Sequence, residues 1–382
     1  MTTYGFTFEK VEADRPRVDF ILIAICVVLT GIGLATLFSA SYFRAGILFS
    51  DPYHFIQRQL LFTVVGLLCA LVVSRVPLQW VVNAVPAVVV VSLILMALTF
   101  VPGIGVRVYG ARRWIFVFGS SFQPSEAAKP AIVMYLAYLL SKKQDQLDDP
   151  VNSILPPVIV VGVFAGLIHM QNDFSTAFFI VFVALAVFFI ANVRLRYFIA
   201  LGTMVIPLGI ILLLTREHRV NRLLAFLVPD LDPAGSGYQV IASRTALANG
   251  GLWGSGIGLS TRKFGSLPEA HSDFVFAILG EELGFFGVVL VIAIFLVFAY
   301  RGYLIAYRAR DTFSSLLAFG LTSSILFQAL MNLAVVAGLV PATGVPLPFF
   351  SSGGSSMLST LVMCGLLLNV SRGATIEGGD HG

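Results

Sequence analysis

Apolar runs long enough to cross a bilayer recur along the whole chain, and nothing else narrows its fold as much. Each run of 18 or more apolar residues can span the ~30 Å hydrocarbon core. Charge is correspondingly scarce: of 382 residues, 58% are hydrophobic and 12% charged, where a soluble domain carries about a quarter charged. Lipid offers no partner to backbone N–H and C=O groups, so such runs must close their hydrogen bonds within helices. The chain is predicted to be an all-α, polytopic integral membrane protein. About ten spans are expected, near residues 18–41, 55–74, 78–101, 126–141, 153–171, 174–192, 196–215, 283–300, 312–338 and 347–370.

An even number of spans puts both ends on one side, and the Lys/Arg bias of short loops says which. With the N-terminus inside, the inner segments hold Lys10, Arg15, Arg17, Arg75, Lys142, Lys143, Arg194, Arg196, Arg301, Arg308, Arg310 and Arg372, half of the 24 basic residues. Both termini are therefore expected to be cytosolic. Residues 1–17 read as a cytosolic tail, 18–372 as a single membrane domain and 373–382 as a second tail. Cys26, Cys69 and Cys364 all fall in apolar spans and read as small core residues, with no metal or disulfide spacing.

The outer face has one outsized segment, residues 216–282 between spans seven and eight. Loops beyond ~15 residues are usually functional or disordered. This one carries Trp253, apolar patches and several glycines, and short helices at the outer leaflet are expected. It ends in "SLPEAHSDFVFAILGEELG", where Glu269, His271 and Asp273 precede an apolar run and Glu281 and Glu282 follow. Asp273 reads either as a cap for a short helix or as a carboxylate working at the outer membrane surface.

Span four is the one predicted span with ionisable residues in its body, Glu126 and Lys129. The i, i+3 spacing places them on one helical face. They read either as a structural ion pair or as a charged site facing a cavity, and buried charge within a membrane defaults to function. Just before this span, Arg107, Arg112 and Arg113 lie outside, against the positive-inside trend. They suit either lipid headgroups or a phosphate, which guanidinium groups bind bidentately, and Trp114 suits a headgroup anchor. Arg216, Arg219 and Arg222 read as a solvated run. In "PLPFFSSGGSSMLST", Ser351, Gly353, Gly354 and Ser355 serve either close helix packing or amides at a helix start facing phosphate. "QNDFST" reads as a tight turn with Asp173 capping span six.

The stretches "PGIG…YGARRWI", "FQPSEAAK", "GSGYQ", "GGLWGSGIG", "LPEAHSDFVFAILGEELG" and "PLPFFSSGGSS" together resemble the SEDS family (shape, elongation, division and sporulation) of FtsW and RodA. The resemblance covers nearly the whole chain. "PGIG", "GARRWI" and "PEAHSDF" lean towards the FtsW division branch. The sequence departs from the family at Asn172 and Ser175, where Pro and Gly are usual, and at Ser352, where Tyr is common. The resemblance implies a peptidoglycan glycosyltransferase that joins lipid II units into glycan strands outside the bacterial cytoplasmic membrane. It implies a class B penicillin-binding protein as partner, alongside other divisome or elongasome membrane proteins. Asp273 matches the family's essential acid, and Glu126 and Lys129 match its span-four polar pair.

In such a reaction a sugar hydroxyl needs a base within hydrogen-bond reach, for which Asp273 is the candidate. Cations should meet the leaving pyrophosphate. Arg112, Arg113 and Lys129 are candidates, Arg107, Trp114, Glu269 and His271 are further substrate-binding candidates, and a divalent ion (Mg or Mn) is a candidate cofactor. No organic cofactor and no nucleic-acid partner is expected. The partner's single transmembrane helix is expected on spans eight and nine, because Ser314, Ala318, Gly320, Ser323 and Ala329 allow close helix approach. A lipid II flippase or a non-catalytic division scaffold are the rival readings. A transporter would show polar or broken helices near the midplane, whereas here the polar residues gather at the outer edge.

Overall fold

In the computed structural model, the protein is described over residues 18–108, 111–117, 120–146, 149–231, 235, 237–261, 269 and 271–373. The expected tails, 1–17 and nearly all of 373–382, lie outside these residues, as do 262–268 and 270 of the outer segment. The chain runs through α1 (Phe20–Phe49), α2 (His54–Val73), α3 (Leu78–Leu98), β1 (Gly105–Val108), β2 (Ala111–Val117), β3 (Ser120–Phe122) and α4 (Pro124–Lys142). It continues through α5 (Leu155–Met170), α6 (Phe174–Ile190), α7 (Leu195–Leu214), α8 (Glu217–Leu227), α9 (Tyr238–Gly250), α10 (Val275–Tyr307), α11 (Thr312–Val336) and α12 (Gly354–Gly373).

Among the described residues eight helices are long and apolar enough to cross a membrane, and α6 is a shorter apolar one. The tenth crossing is α4, whose 19 residues extend ~28 Å at 1.5 Å per residue. It is less apolar than the rest because it carries Glu126 and Lys129, and it compensates by being buried along most of its length. The helix packs among α3, α11, α6 and α12, so its charges never meet lipid. The chain is thus a multi-pass membrane protein.

Span boundaries moved where a polar residue hides inside a helix. α10 begins at Val275, well before the span expected from 283, and Gly284 breaks its regular path with φ +66° and ψ −164°. Only glycine occupies that region readily. The expected start marks this kink. α12 begins later than expected, because 341–353 is an irregular segment rather than helix.

Small residues set the closest helix contacts, as they do where lipid gives no hydrophobic drive between helices. The tightly packed α2–α12 pair is one case: a Cβ added at Gly365 would lie 2.7 Å from the Ala70 backbone. The small face of α11 is another. Ser314, Ala318, Gly320, Ser323 and Ala329 are all buried, and a Cβ branch on Gly320 would press on Val133 of α4 and Val187 of α6. The stripe expected to receive a partner helix is therefore spent inside the bundle. What faces outward here is α10, through Phe286, Leu290, Leu296, Val297 and Tyr300.

α7 has no buried residue at all and touches chiefly α8. Two elements absent from the sequence reading lie above the helices. One is the antiparallel sheet β1-β2-β3, built from β-branched and aromatic residues that fit a pleated surface. The other is the paired arrangement of residues 250–256 with the kink of α10, which answers why acid gathers after Asp273. Glu281 accepts hydrogen bonds from the hydroxyls of Ser260 and Thr261, and Glu282 accepts one from Ser39 of α1 at 2.5 Å. These two carboxylates bind the outer loop and α1 to α10. At the same junction Gly254, with φ +82°, comes so close that a Cβ would lie 2.1 Å from the Glu282 carbonyl oxygen.

Candidate active site

Asp273 sits at the mouth of the bundle, two residues before α10. Its carbonyl oxygen accepts a hydrogen bond from Asn332 Nδ2 at 2.9 Å. Its carboxylate stands against the irregular segment, since a Cβ at Gly344 would lie 3.5 Å from Oδ2. The side chain keeps partial access to solvent. Burial first, and the Glu269 charge second, push the Asp273 carboxyl up to about 6, while Arg222 and Arg113 oppose them and Asp173 adds a smaller push. A carboxylate held near 6 is largely ionised at neutral pH yet basic enough to accept a proton.

The mouth is strongly cationic. Arg113 reaches Asp173 at 3.7 Å and donates to the Asn172 carbonyl at 2.6 Å. That carbonyl is presented by a tight turn in which Asn172 has φ +63°, a conformation Asn tolerates better than most residues. From α8, Arg222 donates to the Ala342 carbonyl at 3.3 Å, on the same irregular segment that carries Gly344. His218 is pushed down by burial and by the charges of Arg222, Arg219, Arg113 and Arg216, which records how many guanidinium groups converge. Arg107 and Arg112 are exposed and face each other across the β1–β2 pair. Like charges so placed repel, and a phosphate between them would relieve that. Trp114, half-buried, pairs opposite Val106.

Glu126 and Lys129 form an ion pair at 2.8 Å, both almost wholly buried. Lys129 also donates to Gln328 Oε1 at 2.9 Å and lies 5.3 Å over the Phe179 ring. Its contacts are thus with α4, α6 and α11, and it meets Asp273 only through other residues. Glu126 lies in the first turn of α4, where the helix dipole favours negative charge.

Glu269 pairs with Arg44 at 3.4 Å and accepts from the Ser272 hydroxyl at 3.0 Å. The His271 ring is buried and packs on Phe55 at 4.4 Å. Burial lowers its pKa, Arg44 lowers it further and Glu269 opposes both, so the ring is neutral at physiological pH. The serine–glycine run forms a clasp. Ser351 Oγ donates to the Ser272 carbonyl at 2.6 Å and accepts from the Leu347 amide at 2.7 Å. The Ser352 amide donates to the His271 carbonyl, and the Gly353 amide to Gln59 Oε1 at 3.3 Å. Ser355 Oγ accepts from the Gln123 amide at 2.9 Å, and Gly354 lies close against Phe62. The amides of residues 352 and 353 are thus engaged with protein.

The structure brings Asp273, Glu269 and Arg113 together and sets Glu126 and Lys129 one layer deeper. It adds three residues to the site that sequence reasoning missed. Arg222 looked like its neighbours Arg216 and Arg219, and only the fold separates them. Asp173 caps α6 through the Thr176 amide at 3.2 Å, as expected, yet it also faces Arg113. Gln59 carries no charge and lies in an apolar span, so only a search for buried carboxamides would find it.

The cell cycle protein model of the FtsW, RodA and SpoVE family matches residues 20–376. A protein of Trichlorobacter lovleyi named "Probable peptidoglycan glycosyltransferase FtsW" is 41% identical over 356 residues, covering 93% of each chain. Stage V sporulation protein E of Bacillus subtilis is 38% identical over 93% of this chain and 97% of its own. Among solved structures, a chain of a peptidoglycan synthase complex that coordinates polymerization and crosslinking superposes with a TM-score of 0.77 at 27% identity, covering 94% of this chain and 98% of that one. The rod shape determining protein RodA of Thermus thermophilus gives 0.68 at 26% identity, covering 93% and 97%. With the family model spanning nearly the whole sequence and such relatives matching end to end, the chain belongs to the FtsW/RodA/SpoVE family of cell cycle proteins.

Proposed function

We infer that this chain is a peptidoglycan glycosyltransferase that polymerises lipid II at the outer face of the bacterial cytoplasmic membrane, with both termini in the cytosol. Its motifs favour septal synthesis, on the FtsW pattern, over lateral synthesis. The observation that carries the reading is the Asp273 carboxylate, pushed up to about 6, at a mouth lined by Arg113 and Arg222. In the reaction Asp273 takes the proton from the acceptor sugar's 4-hydroxyl as that oxygen bonds to the donor's anomeric carbon. The bond from that carbon to the pyrophosphate breaks, and configuration inverts. The guanidinium groups meet the charge gained by the departing polyprenyl pyrophosphate, in the manner of preorganised transition-state stabilisation.

A divalent cation fits this arrangement in one way. Among the described residues no group of three or more His, Cys, Asp or Glu converges as a metal cage. Mg²⁺, however, is often held by one or two carboxylates with substrate phosphates completing the shell. Such an ion would be held mainly by the pyrophosphate and would neutralise its charge, leaving Asp273 free to act as the base.

The partner we propose is a class B penicillin-binding protein, resting on the likeness to a chain of a polymerising and crosslinking complex. Its membrane helix docks on the outward face of α10 around Leu290, Leu296 and Val297, which are exposed, with α11 behind as support. Purified chain given labelled lipid II in detergent should yield a ladder of glycan polymer on a gel. Transfer of lipid II between leaflets of a vesicle without polymer would favour a flippase instead.

A further inference from the structure

Two carboxamides lie one turn apart on the inner face of α11, and both are about 1% exposed. Gln328 accepts from Lys129 Nζ at 2.9 Å and donates to the Pro346 carbonyl at 2.9 Å. Asn332 donates to the Asp273 carbonyl at 2.9 Å and to the Val345 carbonyl at 2.9 Å. Two carbonyl acceptors fix which end of the Asn332 amide points at them. Its Oδ1 is buried without a partner among the described residues.

A buried amide in a membrane bundle is costly unless bonded, and leaving one oxygen unsatisfied adds to the cost. Apolar residues would pack α11 without that penalty. Ser351 and Ser352 already bond the irregular segment to residues 271–272; what the pair adds is a link from both to α11 and to the ion pair of α4. Residues 345–346 are tied to α11, the Asp273 backbone is tied to the same side chain as Val345, and the ion pair of α4 is tied to the same turn. The Asp273 carboxylate rests against Gly344, one residue away from this bonded segment. Its position relative to substrate is therefore fixed by bonds that Asn332 makes directly and Gln328 makes through Pro346.

We propose that Gln328 and Asn332 are positioning residues for the base, and that the Glu126–Lys129 pair acts on the reaction through Gln328. This rests on the reading of Asp273 as general base. A group held about 1 Å out of place loses roughly 10²-fold in rate.

The decisive comparison is Gln328→Glu beside Gln328→Met, with Asn332→Leu as a third variant. Glutamate keeps an acceptor for Lys129 but loses the donor to Pro346, whereas methionine loses both. Turnover of labelled lipid II per folded molecule, lipid II binding, thermal unfolding and the pH–rate profile are measured for each. The expected result is a fall in turnover of about 10²-fold in all three, binding within about threefold of the original (~0.7 kcal/mol), and a displaced acidic limb of the pH–rate profile. Gln328→Glu should be as impaired as Gln328→Met. Recovery of full turnover in Gln328→Glu would show that only Lys129 needs satisfying, and would overturn the proposal. So would lower unfolding temperatures with unchanged turnover and pH limb, or failure of all three variants to fold, since either marks the pair as structural. Asp273→Asn is run alongside: normal polymer from it would overturn the general-base reading itself, which is a different failure.

Discussion

At the scale of single residues, Asp273 is defined by the competition around it. Burial and Glu269 raise its carboxyl while Arg222 and Arg113 lower it, and the balance falls at about 6. The sign of the pH dependence follows. A base must be deprotonated, so kcat/KM should fall tenfold per pH unit below about 6 and level off above it. Arg222→Gln should move this limb upward in pH, because the variant removes a charge that favours the carboxylate. A limb that stays in place would detach Arg222 from the site. The same logic applies to stability. A carboxyl whose folded pKa lies above its ordinary 3.8 binds its proton more tightly in the folded state, so its contribution weakens as pH rises from about 4 to about 6. Asp273→Asn should therefore unfold no lower than the original at neutral pH. The buried ion pair behaves differently. Lys129→Met leaves Glu126 without its lysine and should cost about 3–5 kcal/mol. The double change with Glu126→Gln should restore most of the unfolding temperature but leave polymerisation at least tenfold down, because Gln328 still lacks its donor. Full recovery of activity in the double variant would remove Lys129 from any part in the reaction. The sequence displayed Asp273, Glu126 and Lys129 openly, as charges where charge is expensive. It hid Arg222 among similar arginines, and hid Gln328 and Asn332 because neutral amides carry no charge and two of them leave a long helix apolar enough to span.

Among the elements, the helices were legible because lipid imposes a length and a composition on each of them. The exceptions have physical reasons. The first nine residues of α10, before the kink at Gly284, do not read as span because Glu281 and Glu282 interrupt the apolar pattern, and bonds from Ser39, Ser260 and Thr261 help make the burial of these carboxylates tolerable. The sheet β1-β2-β3 is faint in the sequence, because the strand-like alternation of "VRVYGARRWIFV" is short and stands between long helical spans. Gly284 makes the kink possible, and its Cβ would lie 2.3 Å from the Gly254 amide nitrogen. Gly284→Ala should destabilise by about 1–3 kcal/mol from the backbone conformation alone, read as a lowered unfolding temperature in detergent. An unchanged temperature would mean that the kink is not needed for the fold.

For the whole molecule, the sequence could not say which face of a helix meets lipid. A stripe of small residues on α11 looked equally suited to a foreign helix and to its own neighbours, and the fold assigns it to α4 and α6. The partner face proposed above is therefore the outward side of α10. Leu290→Trp and Val297→Trp, at lipid-facing positions, should abolish co-purification with a class B penicillin-binding protein and any activation by it, while basal polymerisation stays within about twofold (~0.4 kcal/mol in barrier). Gly320→Leu, by contrast, should impair folding with or without a partner. Arg301 holds Asp19 at 2.6 Å, joining the start of α1 to the far end of α10, both on the side where the basic residues concentrate. The central claim is that a carboxylate at the opposite, outer mouth performs glycosyl transfer. Its most direct test is polymerisation of labelled lipid II by the purified chain and by Asp273→Asn, with binding of lipid II checked in both. The expected result is polymer from the first and a loss of about 10²–10⁴-fold in the second, with lipid II still bound. Polymer of equal yield and length from Asp273→Asn would contradict it.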